Sequence, residues 1–171
     1  WTHVAAVAQA TTRIRLTTLV AQIPLRNPAH FAQQALTVDH ISGGRLDVGL
    51  GTGLVIDPSY RMMGIENWST MERVARFGEY VEIVDRLMSQ EETTFKGRFY
   101  QLNDAPASPR PIQKPHPELL IGGGGEKVTL KIAAKHADHW NTWGGPRILG
   151  AKNTILDEHC AAVGRDGKTI R

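Results

Sequence analysis

A run of four glycines, placed between a short apolar segment and a helical pattern, constrains the fold of this chain more than any other feature. Leu119–Ile121 has the composition of a buried strand, and Gly122–Gly125 permits a tight turn. Val128, Ile132 and His136 then recur at helical spacing. Such a helix start presents unpaired amides and the positive end of the helix dipole, which favours a bound phosphate. From these residues alone, a turn that only lets the strand pack closely on the helix explains the pattern equally well.

Strands and helices alternate along the whole chain. Strands are predicted over Arg13–Val20, Arg45–Gly53, Leu119–Ile121 and Asp138–Trp143. Helices are predicted over Thr2–Ala10, Pro28–Ser42, Ser69–Met88, Val128–His136 and about Arg147–Val163. This rhythm implies right-handed crossovers and a parallel sheet, hence either a doubly wound sheet or a (β/α)8 barrel.

Local signals support the boundaries. Asn27 is a good helix cap followed by a proline, and Ser69 with Glu72 fits a capping box in which each side chain satisfies the other's backbone donor. Thr93–Tyr100 predicts a small hairpin that turns at Lys96–Gly97.

Two longer connections are also expected. Leu54–Trp68 has no clear period and predicts a long loop. The prolines between Pro106 and Pro117 predict a stiff, extended connection into the strand before the four glycines.

Three of the predicted strands end in small residues, at Gly51-Thr52-Gly53, Gly122–Gly125 and Gly144–Gly145. In both candidate folds, ligands bind beyond the carboxyl ends of the strands. The sequence therefore predicts one site, built from several strand ends, on one face of the sheet.

Composition argues against several classes of function. The net charge is +3, and the basic residues are scattered among acids, which indicates neither a nucleic-acid surface nor a membrane surface. No apolar run is long enough to span a bilayer. The single Cys160 cannot form an internal disulfide, which fits a reduced, cytoplasmic setting. No two histidines have metal-ligand spacing with a supporting carboxylate, so no metal is expected.

Several segments together resemble the luciferase-like monooxygenase superfamily. They are Thr12–Leu16, Arg26–Pro28, Leu36–Leu46 and Gly49–Gly53, with Asp39–Leu46 the most specific part. The run Gly122–Lys127, followed by Ala137–Asn141, is similar to the branch of that family that uses the deazaflavin coenzyme F-420 (F420) instead of FMN.

The resemblance implies a (β/α)8 TIM barrel, present only in part. The chain would hold about four central β/α units, strands three to six, as one domain over residues 1–171. An oxidoreductase is implied that holds coenzyme F420, or alternatively FMN, at the barrel mouth and transfers a hydride or activates oxygen at the cofactor ring. We expect a small-molecule substrate, no nucleic acid or membrane partner, and a homo-oligomer. The residues present do not make up a complete catalytic set.

The resemblance also implies roles for particular residues. Relatives often hold a non-proline cis peptide bond against the cofactor ring, and Leu19–Val20 is the expected bond here. Trp143 is expected either to wall the pocket or to lie in the core. The residues assigned to the cofactor are Thr18, Leu19 and Val20 at one strand end, Gly51, Thr52 and Gly53 beside the ring, Gly122, Gly123, Gly124, Gly125 and Glu126 at the phosphate, and Trp143.

One departure from the family pattern concerns the proton donor. Some sugar-phosphate dehydrogenase relatives carry a glutamate directly after the glycine loop, where this chain has Leu54. Asp57 is only a weak substitute, so the catalytic acid is not identified. A second hypothesis is a non-catalytic half-barrel that binds a phosphate-bearing ligand weakly or associates with itself through exposed strand edges.

Overall fold

The computed structural model describes residues 1–171 and contains six α-helices and seven strands. The helices are α1 (Thr2–Ala10), α2 (Pro28–Ser42), α3 (Ser59–Met62), α4 (Thr70–Ser89), α5 (Thr129–His136) and α6 (Pro146–Ala162). The strands are β1 (Leu16–Thr17), β2 (Ala21–Gln22), β3 (Leu46–Gly51), β4 (Glu92–Lys96), β5 (Gln101–Pro106), β6 (Leu119–Gly122) and β7 (His139–Asn141). Short 3-10 helices cover Ile23–Leu25 and Gly167–Thr169.

A parallel sheet with the strand order β1, β3, β6, β7 forms the centre of the fold, and β2 also pairs with β3. Every pair within this sheet is parallel. The predicted alternation of strands and crossover helices is therefore confirmed. Because the strands are parallel, their carboxyl ends meet at one edge of the sheet.

The core lies between this sheet and its helices. Alternate residues of β3, namely Leu46, Val48 and Leu50, are fully buried and belong to the same cluster as Phe31 of α2 and Phe77 of α4. Burying a side chain of this size contributes about 1.5–3 kcal/mol. The apolar side of α4 thus packs in the core. None of the helices is both long and apolar enough to span a membrane.

Of the two predicted helix caps, the one at Asn27 is confirmed in full and the one at Ser69 in part. The Asn27 side chain accepts a hydrogen bond from the Ala29 amide at 2.9 Å, as expected. Ser69 accepts one from the Glu72 amide at 3.3 Å. The prediction that the Glu72 carboxylate in turn accepts a hydrogen bond from the Ser69 amide is wrong. That carboxylate binds Arg76, one turn later, at 2.7 Å.

The hairpin is longer than predicted. Its second strand begins at Gln101, whereas the sequence pattern placed the end of the hairpin at Tyr100. The carboxylate of Glu79 on α4 accepts hydrogen bonds from the amides of Arg98, Phe99 and Tyr100, which holds this segment as the connecting loop.

The proline connection also differs from the predicted extended segment. Its first proline, Pro106, ends β5, and the Ser108–Pro109 and Lys114–Pro115 peptide bonds are cis.

Several element boundaries were also predicted wrongly. Of the first predicted strand, Arg13–Val20, only β1 (Leu16–Thr17) is extended in the sheet; a bend at Thr18–Val20 follows, and β2 begins beyond the predicted segment. Helix α5 begins only at Thr129, after a turn. Short helix α3 interrupts the predicted loop Leu54–Trp68. Arg171 lies beside β7, because its carbonyl accepts a hydrogen bond from the Trp140 amide at 2.9 Å and its amide donates one to Asp138 at 3.0 Å.

Candidate functional site

The glycine loop after β6 has its carbonyl groups tied to neighbouring elements. The carbonyl of Gly123 accepts a hydrogen bond from the Trp140 indole at 2.9 Å, and that of Gly124 accepts one from Lys152 Nζ at 2.6 Å. The Gly125 carbonyl accepts the Leu130 amide at 3.0 Å. His159 Nε2 lies 2.8 Å from the carbonyl of Glu126. Contacts from β7, α5 and α6 therefore fix the orientation of this loop.

The amides of the same loop remain free. The Gly123 amide donates to the carbonyl of Asn141 in β7. The amides from Gly124 to Val128 donate no hydrogen bond within the chain. Unpartnered amides just before a helix start are donors that an anion can use. The loop thus has the donor set that was predicted from the four glycines.

Two polar side chains that the sequence did not indicate, Lys152 and Thr142, flank this loop. Lys152 Nζ lies 3.1 Å from the Glu126 carboxylate as well as bonding Gly124, so one of its three N–H donors is still available. A Cβ atom on Gly124 would lie 2.6 Å from Thr142 Oγ1 and 3.2 Å from Lys152 Cε. Gly124 therefore has to be a glycine for these neighbours to approach. No local pattern singles out Lys152 among the lysines of the sequence.

The bend between β1 and β2 carries the expected non-proline cis peptide bond, Leu19–Val20. Beside it, Thr18 Oγ1 donates to the Gly49 carbonyl at 2.8 Å and accepts from the Gly49 amide at 3.2 Å. Leu19 is 65% exposed. The presence of the bond is confirmed, whereas its contact with a cofactor remains a prediction.

The side chain of Val20 fills the space beside two of the predicted site glycines. A Cβ atom on Gly51 would lie 2.4 Å from Val20 Cγ2, and one on Gly122 would lie 2.6 Å from Val20 Cγ1. Gly51 and Gly122 therefore make room for Val20. The assignment of Gly51 to the cofactor stays a prediction.

Beyond β3, Thr52 and Gly53 lie over a buried arginine. Gly53 has a φ of +73°, and its Cβ position lies 2.1 Å from the Tyr60 hydroxyl. Arg73, which is 1% exposed, donates to the Thr52 carbonyl at 2.8 Å. Tyr60 of α3 and Arg73 of α4 therefore hold the residues that follow β3 in place.

Asp57 does not have the properties of a proton donor. Its carboxylate accepts hydrogen bonds from the Ser59 amide at 2.9 Å and from Gln22 Nε2 at 3.3 Å. These interactions, led by those from Ser59, hold the pKa of Asp57 below its ordinary value. An acid that stays ionised cannot supply a proton near neutral pH, and Leu54 has none to give.

Two further predicted residues lie at the same edge. Trp143 is 95% exposed, so the interpretation that it belongs to the core is wrong, and its role as a pocket wall remains a prediction. Glu126 pairs with Lys152. The strand-end residues predicted from sequence therefore meet at one edge, built from the ends of β2, β3, β6 and β7.

A second polar cluster, which sequence reasoning missed, lies at the opposite end of the sheet. Asp47 lies in β3, Glu118 directly precedes β6 and His139 begins β7, and their ligand atoms lie within 4.8 Å of one another. The carboxylates already bind guanidinium groups, Asp47 that of Arg15 and Glu118 that of Arg171. We therefore describe this cluster as an ion-pair network across three strands.

Comparison with known proteins decides the family of this chain. The family model described as luciferase-like monooxygenase matches residues 1–171. The chain belongs to the luciferase-like monooxygenase family.

Two relatives illustrate the range of cofactors in the luciferase-like monooxygenase family. The F420-dependent glucose-6-phosphate dehydrogenase of Kineococcus radiotolerans is 34% identical, covering 95% of this chain and 47% of the relative. The FMNH(2)-dependent dimethylsulfone monooxygenase of Pseudomonas putida is 30% identical, covering 92% of this chain and 42% of the relative. The chain spans about half the length of the curated relatives it matches.

A solved family structure has the same fold. An F420-dependent secondary alcohol dehydrogenase in complex with an F420-acetone adduct superimposes with a TM-score of 0.88 at 26% identity. The match covers 100% of this chain and 52% of that chain. The fold is therefore that of a luciferase-like (β/α)8 TIM barrel, present in part.

Proposed function

We propose that this chain binds the phosphate-bearing deazaflavin coenzyme F420, with FMN as the alternative, and serves a small-molecule oxidoreductase reaction. The observation that carries the proposal is the row of free amides from Gly124 to Val128. Relatives of this chain include proteins named for each of the two cofactors. When bound, such a cofactor would supply the hydride transfer or oxygen activation at its ring.

The residues around the glycine loop fit a phosphate. The loop offers several amide donors, Lys152 offers a positive charge with a spare N–H, and Thr142 offers a hydroxyl beside Gly124. The pair between Lys152 and Glu126 holds the ammonium group at the loop. In this proposal these groups bind and orient the phosphate, and the neutral glycines let it approach the backbone.

The bend at Thr18–Val20 and the strand end at Gly51–Gly53 are the proposed ring site. Thr18 is fixed to Gly49 by two hydrogen bonds, and Thr52 is fixed by Arg73. Both segments are therefore held in place before any ligand arrives. Exposed Leu19 and Trp143 are proposed to shield the ring from water. No residue of this chain is assigned as the catalytic acid.

A titration tests this proposal. The chain is titrated with F420 and with FMN, and riboflavin, which is FMN without its phosphate, serves as the ligand matched to FMN. We expect saturable binding of one phosphate-bearing cofactor and at least about tenfold weaker binding of riboflavin. Gly124→Ala should weaken that binding because Thr142 and Lys152 occupy the added methyl position.

Gly145→Ala is the control, since a Cβ atom there would meet nothing within 4 Å. Binding of neither cofactor would contradict the proposal, and so would, where FMN is the cofactor that binds, an equal affinity for riboflavin.

A second candidate is a half-barrel that associates with itself. The outer edge of β7 pairs only with the backbone of Arg171, and unpaired strand edges can pair with another chain. A homo-oligomer is proposed on this ground. Sedimentation across a dilution series tests it, because a monomer at every concentration would exclude self-association.

A further inference from the structure

The buried arginine beside the end of β3 has no carboxylate among its hydrogen-bond partners. Arg73 is 1% exposed, and its guanidinium donates four hydrogen bonds. The acceptors are all uncharged: the carbonyls of Thr52 and Trp68, the hydroxyl of Tyr60 and the side-chain oxygen of Asn67. A positive charge held in this way acts on its surroundings with little screening from water.

The contact between Arg73 and Thr52 fixes the direction of one peptide group at the proposed ring site. Arg73 donates to the Thr52 carbonyl at 2.8 Å. The Thr52–Gly53 peptide bond is not among the cis bonds of the chain, so its C=O and N–H groups point in opposite directions. The amide of Gly53 is therefore turned away from the guanidinium.

The Gly53 amide has no partner within the chain. It donates to no backbone or side-chain acceptor, although Gly53 is half-buried. The residue is also closely surrounded, because a Cβ atom there would lie 3.0 Å from Arg73 Nη1 and 3.0 Å from Gln22 Oε1. Its carbonyl accepts a hydrogen bond from the Thr52 hydroxyl at 3.1 Å. A fixed, half-buried N–H without an acceptor is a donor that a ligand can use.

We propose that Arg73 is a positioning residue of the ring site, which holds the Thr52–Gly53 peptide so that the Gly53 amide donates to a ring atom that becomes negative on reduction. This inference rests on the proposed function, which places the cofactor ring at Gly51–Gly53. A ring that takes up two electrons and one proton gains one negative charge, and a donor fixed in advance stabilises that charge. The guanidinium strengthens the donor, because its hydrogen bond to the carbonyl polarises the whole peptide group. The chain therefore binds the reduced cofactor more tightly than the oxidised one.

A purely structural role is the competing explanation for Arg73. An arginine that only keeps the residues after β3 in shape supports binding of the oxidised and the reduced cofactor equally. An arginine whose charge acts through the Gly53 amide discriminates between the two redox states. The ratio of the two affinities therefore separates these roles.

The test is an anaerobic titration of the chain with FMN and with F420, each in its oxidised and its chemically reduced form. We expect at least about tenfold tighter binding of the reduced form, which raises the midpoint potential of the bound cofactor by about 30 mV for a two-electron couple. Arg73→Lys keeps the charge but loses the forked geometry, and it should lower that ratio at least about threefold. Arg76→Lys is the matched control on the same helix, because Arg76 bonds Glu72 and not the residues after β3.

Asn67→Asp tests the charge of Arg73 in a variant of nearly unchanged side-chain volume. The Asn67 side chain accepts a hydrogen bond from Arg73, so an aspartate there gives the guanidinium a carboxylate partner. The preference for the reduced cofactor should fall at least about threefold, while the affinity for the oxidised form changes less than about twofold. Asn67→Ala is the control, because it removes the same side-chain bonds to Arg73 and Val55 without adding a charge.

Hydrogen exchange tests the Gly53 amide without any cofactor. In the chain labelled with ¹⁵N-glycine, this amide should exchange with water at least about tenfold faster than that of Gly49, which donates to Thr18 Oγ1 at 3.2 Å. Binding of the reduced cofactor should slow the exchange at Gly53.

Three results would overturn this inference and leave the proposed function intact. They are a Gly53 amide that is as protected as that of Gly49 in the free chain, equal affinities for the two redox states, and an affinity ratio that Asn67→Asp leaves unchanged. Asn67→Asp decides the matter also where Arg73→Lys does not fold. Binding of neither cofactor in either redox state would overturn the proposed function, and the role of Arg73 at the ring with it.

Discussion

Lys152 of helix α6 donates a hydrogen bond to the Gly124 carbonyl across 2.6 Å, joining residues that are 28 positions apart in the sequence. The contact turns the Gly124 carbonyl toward α6 and places a positive charge beside a row of free amides. It therefore links the tertiary packing of α6 to the anion-binding character of the glycine loop.

The first prediction concerns the charge of Lys152. Lys152→Met should lower the affinity for FMN about tenfold and leave the affinity for riboflavin nearly unchanged, because only FMN carries the phosphate. Fluorescence titration measures both affinities. Lys135→Met is the matched control on the exposed side of α5, where its ammonium group lies 3.8 Å from Glu82. Equal losses for FMN and riboflavin would show that Lys152 acts only on the structure of the loop.

The second prediction concerns the packing of Val20 on two glycines. Gly51→Ala should destabilise the chain by about 1–3 kcal/mol, because the new methyl group would lie 2.4 Å from Val20 Cγ2. The double variant Val20→Ala with Gly51→Ala should recover at least about 0.5 kcal/mol of that loss. Urea unfolding measures both. Additive effects of the two substitutions would contradict the contact.

The third prediction concerns buried Arg73. Arg73→Met should lower the free energy of unfolding by about 3 kcal/mol, because it leaves the carbonyls of Thr52 and Trp68 without a donor. Arg61→Met, a change at an exposed arginine of α3, should alter the free energy of unfolding by no more than about 0.5 kcal/mol. Thermal or urea unfolding of the two variants provides the comparison, and equal stabilities would rule out a structural role for the buried guanidinium.

The fourth prediction concerns acid stability. Burial alone would raise the pKa of Glu118, but the hydrogen bond from His139 and the charge of Arg171 together hold it below its ordinary value. A carboxylate with a lowered pKa in the folded state stabilises the fold above its unfolded pKa, about 4.3, and that contribution is lost as the pH falls through the folded value.

The unfolding temperature of the wild-type chain, recorded from pH 7 to pH 3, should therefore fall below about pH 4.3 more steeply than that of Glu118→Gln. Glu66→Gln, at an exposed site in the loop Leu54–Trp68, is the control. Parallel curves for wild type and Glu118→Gln would show that the ion-pair network contributes nothing to the acid transition.

The ion-pair network also shows where local patterns stop being informative. Asp47, Glu118 and His139 are separated by long stretches of sequence, and each looks unremarkable among its neighbours. Only the parallel register of β3, β6 and β7 brings them together. The same limitation applies to the hairpin, whose turn is set by Glu79 on a helix that lies outside it.

The sequence by itself determined the alternation of strands and helices, the glycine loop after β6, the cap at Asn27 and, through family resemblance, the cis bond at Leu19–Val20. These features depend on backbone preferences and periodicities that span a few residues, so they can be read locally. The tertiary structure alone decided which neighbours those features meet. Lys152 at Gly124, Val20 against Gly51 and Arg73 beneath Thr52 all join distant segments. Such contacts depend on how helices pack on the sheet, and no short stretch of sequence encodes them.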